Sequence, residues 1–153
     1  MGPTLEFLIG DSAELSDALQ SVDLDKLDDP ALLKMRADFS LHIEPRDLDH
    51  LSREFGRVTG NEPKDLRSHL QVRVDEEDRG LFDVDDSWVS YIASTPDESA
   101  SEIAERWAAT MREAYHDPEL LVTDEMVTAV TCLIVLCKAA ERDSLAVVHI
   151  WLL

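Results

Sequence analysis

The chain has 153 residues, of which 44% are hydrophobic, and its 33 acidic and 14 basic residues give a net charge of −19. This length and apolar content fit one folded domain with a substantial core and exclude a disordered chain. The negative charge disfavours nucleic acid and anionic membrane surfaces as partners, because both repel carboxylates, and it permits a basic protein partner or cation binding.

The first part of the sequence predicts a strand, a helix, a second strand and a second helix. Residues 5–9 are a short apolar run, and Asp11 follows as a helix N-cap with a glutamate three residues on. In residues 37–43 apolar and polar side chains alternate, which predicts a strand with one exposed face. Pro45 begins the next helix and Gly60 ends it, since proline favours the first helical position and glycine the position after the last.

The middle of the sequence predicts another strand and an amphipathic helix. Apolar residues at even spacing in residues 66–74 indicate a half-exposed strand whose first residues could also turn helically, and the acidic run after it predicts a turn. Residues 87–93 fit either a strand or a short helix. Thr95 is predicted to cap the helix that follows, because Pro96 and Glu98 complete a capping pattern.

The end of the sequence is almost entirely apolar. Thr123 is predicted to cap a helix that reaches about Arg142, and Lys138 interrupts its apolar part well short of the length that a membrane span needs. Residues 145–152 are apolar on both alternating faces except at His149. This pattern predicts a central strand that is covered by helices on both sides, so we expect the apolar end to lie in the core.

These elements together predict an α+β fold in a single globular domain over residues 1–153. We expect a mixed sheet of about four strands packed by amphipathic helices, with a buried C-terminal helix and a central C-terminal strand. Cys132 and Cys137 lie five residues apart on one predicted helix, so no disulfide is expected between them. Cysteines of this kind and the absence of a signal-peptide pattern at the start predict a cytoplasmic protein.

Two dense acidic segments, residues 23–29 and 75–86, suggest an interaction surface. Small cytoplasmic immunity and inhibitor proteins of bacteria are similar in size and charge, and this similarity implies a non-enzymatic module that binds a basic protein. The predicted interaction residues are Asp23, Asp25, Asp28, Asp29, Asp75, Glu76, Glu77, Asp78, Asp83, Asp85 and Asp86.

The second acidic segment also contains an arrangement known from enzymes. The stretch GLFDVDDSWV resembles the nucleophile motif of the haloacid dehalogenase-like phosphatases, in which a strand is followed by Asp-x-Asp-x-Thr. The resemblance covers only these residues and implies Asp83 as nucleophile and Asp85 as acid and base, with Ser87 in place of the threonine. Residues 75–86 can also be aligned with a calcium-binding loop, in which Arg79 would fall on a ligand position.

A His-x-Glu pair on the predicted exposed strand face is a further candidate site. His42 and Glu44 are similar to part of the zinc deaminase pattern, but the Pro-Cys-x-x-Cys partner is absent. They are therefore candidate metal ligands only if other ligands join them, and we predict no tight metal site and no cofactor. His149 is predicted to be a hydrogen-bonded core residue.

A stripe of bases at helical spacing lies beside the apolar stripe of the helix that begins at Pro45. We predict that it forms ion pairs with acids of the same protein, although it could also clamp a phosphate or a carboxylate. Its members are Arg46, His50, Arg53 and Arg57.

Two functional hypotheses follow from the sequence. The first is the non-enzymatic interaction module that binds a basic partner. The second is a small hydrolase or metal-binding enzyme that uses residues 75–86 or the pair of His42 and Glu44. The absence of a convergent catalytic motif favours the first. The second requires the candidate histidines and carboxylates to meet in one pocket.

Overall fold

The computed structural model of this chain describes residues 4–20, 33–41 and 43–153. Within these residues, five α-helices pack against one sheet of five strands, so the predicted α+β class is confirmed. The strands are β1 (Thr4–Gly10), β2 (Leu33–Asp38), β3 (Leu70–Asp75), β4 (Arg79–Val84) and β5 (Val147–Leu152). The helices are α1 (Ser12–Gln20), α2 (Pro45–Thr59), α3 (Asp86–Ala93), α4 (Ala100–Ala114) and α5 (Asp124–Asp143).

The strand order of the sheet is β2-β1-β5-β4-β3, and every neighbouring pair is antiparallel. The sheet therefore has five strands rather than about four, and it is antiparallel rather than mixed. Alternating side chains look the same in parallel and antiparallel strands, so the sequence pattern did not determine the strand directions. The predicted central position of the last strand, β5, is confirmed.

Strand β5 is buried on both faces, which explains the apolar end of the sequence. On one face Val148 and Ile150 pack with Leu8, Leu81 and the α1 residue Leu15. The opposite face packs against the main core, which contains side chains from helices α2 to α5. A strand with neighbours on both edges and cover on both faces has no solvent-exposed side, so its residues are apolar almost without exception.

Helix α5 begins and ends where the sequence predicts. The Thr123 hydroxyl accepts a hydrogen bond from the Met126 backbone N–H at 3.2 Å, as an N-cap does. Most of its apolar residues are buried because α3, α4 and β2 pack around it, and Val135 is the exposed exception at 39%. Cys137 on this helix is buried, which raises the pKa of its thiol, and both Cys132 and Cys137 are free. No helix in the described part of the chain is long and apolar enough to cross a membrane.

Of the strand predicted over residues 37–43, only Ala37 and Asp38 lie in a strand among the described residues, at the end of β2. Strand β2 ends at Asp38, and the next two residues contact β1 through single hydrogen bonds: the Phe39 N–H donates to the Leu5 carbonyl at 2.7 Å, and the Leu5 N–H donates to the Ser40 hydroxyl at 3.1 Å. The strand ladder therefore ends at Asp38, and the Leu41 N–H donates to the nearby Phe39 carbonyl at 2.8 Å instead. The alternation nevertheless identified side chains that are buried, namely Ala37, Phe39 and Ile43.

The structure decides between the alternatives that the sequence allowed for two segments, and the ends of α2 are as predicted. In residues 66–74 a short 3-10 helix, Arg67–His69, precedes β3, and a register shift in β3 leaves Val72 exposed rather than buried. Residues 87–93 belong to helix α3 rather than to a strand. Helix α2 has Pro45 at its start and Gly60 after its end in the left-handed region at φ 80°, as predicted.

The predicted N-cap at Thr95 is wrong. A 3-10 turn, Asp97–Ser99, intervenes, and α4 begins only at Ala100. The Thr95 backbone N–H donates to the Ile92 carbonyl at 3.1 Å, so Thr95 lies in the turn that follows α3 instead. Its hydroxyl is buried and has no hydrogen-bond partner among the described residues.

Candidate functional site

Strand β4 divides the acidic segment of residues 75–86 between opposite ends of the sheet. The first four acids of the segment, residues 75–78, lie at the turn between β3 and β4. The last two, Asp85 and Asp86, lie beyond the other end of β4, where α3 begins. Six strand residues separate the two groups by about 20 Å. The segment therefore consists of a turn, strand β4 and the start of helix α3. It is not a continuous acidic loop, and it does not have the fold of a calcium-binding loop.

We call the end of the sheet that contains the β3–β4 turn the hairpin end. Thr4 and Arg79 both pair with Leu152 there. The Leu153 N–H donates to the Asp78 carbonyl at 3.0 Å, which holds this end of the chain against the turn. Leu153 itself is 79% exposed. The hairpin end thus combines acidic residues with an exposed apolar side chain.

The carboxylates of the turn differ in their partners. Arg79 lies 2.9 Å from the Asp78 carboxylate and 3.8 Å from that of Glu76, and the hydrogen bond from Arg79 lowers the pKa of Asp78. Asp75 and Glu77 are exposed, and within the described residues their side chains have no hydrogen bond or ion pair. Two of the four predicted interaction residues here are therefore available to a cation from another molecule.

At the opposite end of the sheet, Asp83 forms an ion pair with Arg73 across strands β3 and β4. Asp85 is the N-cap residue of α3 and Asp86 lies in its first turn, where a negative charge is favoured by the helix dipole. The motif that resembles the phosphatase nucleophile is thus a strand followed by a helix. The residue in the nucleophile position, Asp83, is paired with a guanidinium group.

The candidate metal ligand Glu44 is engaged in starting helix α2. Its backbone N–H donates to the Asp47 carboxylate at 2.8 Å in a capping box, and its own carboxylate lies 2.9 Å from Arg46. His42 lies outside the described residues, as do the predicted interaction residues Asp23, Asp25, Asp28 and Asp29. Among the residues that the structure describes, no three His, Cys, Asp or Glu side chains converge as metal ligands would.

The arginines of the basic stripe on α2 form ion pairs with the protein's own acids. Arg53 lies 2.6 Å from Asp65, and this hydrogen bond lowers the pKa of the Asp65 carboxyl. Arg57 pairs with Glu54 within the helix, and Arg46 pairs with Glu44. These contacts agree with the predicted internal role of the stripe.

His149 is a core residue. Its Nδ1 lies 3.0 Å from the Glu6 carbonyl oxygen, so Nδ1 carries the proton and donates it to that carbonyl. The ring stacks on Phe7 at 4.6 Å between centroids, and burial lowers the pKa of His149 to about 4. None of the candidate carboxylates of the sequence forms a hydrogen bond or ion pair with this imidazole within the described residues.

Three buried acids on helix α2 were missed by the sequence interpretation. The Asp49 carboxylate accepts hydrogen bonds from the backbone N–H groups of Leu66 and Arg67, both at 3.0 Å, and pairs with the Arg67 side chain. Glu54 accepts from the Thr110 hydroxyl at 3.1 Å, and Asp47 accepts from the Tyr115 hydroxyl at 2.9 Å.

Through these hydrogen bonds, the buried carboxylates of α2 hold the helix against α4, against the residue that follows α4 and against the segment after α2. The signal available in the sequence was the spacing of Asp47 and Glu54, which fall seven residues apart on the same helical stripe as Leu51 and Val58. Carboxylates within an apolar stripe indicate acids that the fold buries and must satisfy.

A groove of about 580 Å³ opens beside these buried acids, between residues 40, 41 and 43, helix α4 and the connection from α4 to α5. We call it the Leu121 groove, because Leu121 at its edge is 66% exposed. Its lining is mostly apolar, with Leu41, Ile43, Trp107, Met111, Leu120 and Met126. Ile43 also lines a smaller cavity of about 260 Å³ with Trp151 and Leu153, so this residue lies between the groove and the hairpin end.

Comparison of this chain with protein-family models, with curated proteins and with solved structures yields no match.

Proposed function

We propose that this chain is a non-enzymatic interaction module that binds a basic protein partner through carboxylates at the hairpin end. The observation that supports the proposal is that Asp75 and Glu77 are exposed and lack internal cations among the described residues, in the same turn whose Asp78 carbonyl contacts the exposed Leu153. Interfaces commonly combine a small apolar centre with a polar rim. A partner with complementary positive charge would be attracted and oriented by such a rim.

The net charge of −19 supports the same proposal at longer range. Complementary charge speeds the encounter of two proteins more than it strengthens the final complex, and salt weakens this effect. Association with the partner should therefore slow strongly as ionic strength rises. The acids of residues 23–29 stay part of the proposed surface, although they lie outside the described residues.

The alternative of a small hydrolase has no comparable support. Asp83 is paired with Arg73, and Glu44 is used in the cap of α2 and in an ion pair. Glu44 and Asp83 also lie near opposite ends of the sheet. Catalysis by a carboxylate pair requires both groups within reach of one substrate atom.

The proposal is tested by affinity capture from a native lysate of the source organism at low and at high salt, with identification of the captured proteins. We expect a basic protein on the wild-type chain that is lost at high salt and strongly reduced on the double variant Asp75→Asn, Glu77→Gln. The matched control is Glu98→Gln, Glu105→Gln, which removes two exposed carboxylates from the region of α4.

The outcome is decided by the difference between the two variants. Equal loss of the captured protein on both would mean that total charge alone causes binding, without a surface at the hairpin end. Capture that does not depend on salt, or only of acidic proteins, would contradict the proposal itself.

A further inference from the structure

The Leu121 groove exposes apolar surface that the described part of the fold does not cover. Leu121 is 66% exposed, and Tyr115 and Val122 near it are each 37% exposed. The groove volume of about 580 Å³ lies within the range of sites that hold side chains or small ligands. Clustered apolar exposure of this kind marks a binding surface more often than isolated exposed residues do.

Acids surround this apolar surface. Asp117 and Glu125 line the groove itself. A neighbouring cavity of about 430 Å³ shares Leu41 and Glu125 with the groove and adds two further acids, Asp38 and Asp124. Arg36 is the base among the described residues that line the two cavities, and it is engaged with Glu6. Two further bases contact lining residues: Arg46 lies 4.9 Å from the centroid of the Tyr115 ring, and Arg112 donates to the Leu120 carbonyl at 2.7 Å. The five acids that line the two cavities outnumber these three bases, so the net charge around the groove is negative.

We infer that the Leu121 groove binds a basic amphipathic segment of a partner protein, one that inserts apolar side chains and places lysines or arginines over the acidic rim. This inference rests on the proposed function, because it specifies how the basic partner is recognised. Insertion of apolar groups contributes affinity through burial, and the flanking cations contribute charge complementarity. A segment that is apolar but not basic would contact only the apolar lining, and a segment that is basic but not apolar would contact only the acidic rim.

The charge of the molecule argues against other occupants. A second copy of the chain carries the same charge of −19 and would bring like charges together at the rim. An anionic membrane or a nucleic acid would be repelled for the same reason. A basic segment is the occupant whose charge matches both the rim and the whole molecule.

Three labelled synthetic peptides of equal length provide the test, with binding followed by fluorescence anisotropy at physiological salt. The first alternates leucine and lysine at helical spacing, the second replaces every leucine with serine, and the third replaces every lysine with glutamate. We expect the leucine–lysine peptide to bind at least about tenfold more tightly than either of the others.

Variants of the groove locate the binding. Leu121→Ser and the double variant Asp117→Asn, Glu125→Gln should each weaken binding of the leucine–lysine peptide by about tenfold, and both should stay folded because these side chains are exposed. The melting temperature of the double variant should fall slightly, since Glu125 lies in the first turn of α5 and the Asp117 carboxylate accepts the Glu119 N–H at 3.1 Å. The matched control for the apolar change is Val72→Ser, since Val72 is 57% exposed on the edge strand β3. The matched control for the charge change is Glu98→Gln, Glu105→Gln.

The results separate this inference from the proposed function. Equal binding of the serine–lysine peptide, or equal loss with the groove and control variants, would overturn the groove while leaving a charge-driven module intact. Failure of both lysine peptides to bind, together with no capture of a basic protein from the lysate, would overturn both. A dimer in sedimentation that Leu121→Ser dissolves would identify a second copy as the occupant and would also overturn the inference.

Discussion

The acids of helix α2 and the acids of the β3–β4 turn differ in what surrounds them. Asp47, Asp49 and Glu54 are each at most 3% exposed, and donors from other parts of the chain bind every one of them. At the turn, Asp75 and Glu77 are exposed and have no cation among the described residues. Both groups belong to the same strongly acidic chain.

The difference separates carboxylates that hold the fold together from carboxylates that are left for another molecule. A buried carboxylate must be satisfied within the fold, because the cost of its desolvation is not recovered otherwise. An exposed carboxylate is satisfied by water and adds repulsion to a chain that is already negative. The two groups should therefore respond to neutralisation with opposite signs.

Replacement of Asp49 should give the largest effect. Asp49→Ala leaves the N–H groups of Leu66 and Arg67 without their acceptor, so we expect a loss of about 3 to 4 kcal/mol in the free energy of unfolding. Urea denaturation followed by circular dichroism measures the change. The control Asp65→Asn removes a carboxylate with a 45% exposed side chain from its pair with Arg53 and should cost less than about 1 kcal/mol.

Similar costs for Asp49→Ala and Asp65→Asn would contradict the distinction between buried and exposed acids, because the contacts of Asp49 would then add nothing beyond an ordinary surface ion pair.

His149 is also a buried ionisable group, but unlike the acids of α2 it is buried in its neutral form. Its pKa is lowered to about 4, so between about pH 6.5 and 4 the unfolded chain binds a proton that the folded chain does not. Stability from this residue is therefore lost as the pH falls through that window. Relative to His149→Phe, the wild-type protein should lose about 2 kcal/mol between pH 7 and pH 5.

The measurement is urea denaturation of both proteins at several pH values above the isoelectric point of about 4.4. The comparison with the variant cancels the titration of the many carboxylates, which both proteins share. Parallel stability curves for the two proteins would show that His149 is protonated within the fold.

Thr95 is a buried polar residue whose hydroxyl has no partner in the described part of the chain. Thr95→Val keeps the shape of the side chain and removes the unsatisfied group, so we expect the protein to become about 1 kcal/mol more stable. An N-cap would give the opposite sign, since loss of a capping hydroxyl costs about 1 kcal/mol. Thermal and urea denaturation of this variant therefore distinguish the two roles directly.

The smallest effect is expected at the turn. Asp75→Asn and Glu77→Gln together should leave stability unchanged or raise it by less than about 0.5 kcal/mol, because they remove repulsion and break no internal contact. Moderate NaCl should raise the melting temperature of the wild-type protein by screening the same repulsion. A clear destabilisation by these changes would show that the turn carboxylates serve the fold, and it would remove the main support for an interaction surface there.

The sequence by itself determined those elements whose residue pattern is compatible with only one environment. A helix that is apolar nearly all round and a strand that is apolar on both faces must both be buried, so α5 and β5 could be placed in the core from their residues. Pro45, Gly60 and Thr123 marked helix ends correctly because their effects on the backbone are local.

Only the tertiary structure determined which acids are buried and hydrogen-bonded, which acids are exposed, and what shape the groove has. Helical spacing gives the direction of Asp49 but not its neighbours, and only the return of the chain brings the N–H groups of residues 66 and 67 to its carboxylate. The acidic segment of residues 75–86 was divided because β4 pairs with β5, a contact between residues far apart in the sequence. The Leu121 groove likewise joins residues 40, 41 and 43 with residues between 107 and 126, and local patterns contain no information about such distant contacts.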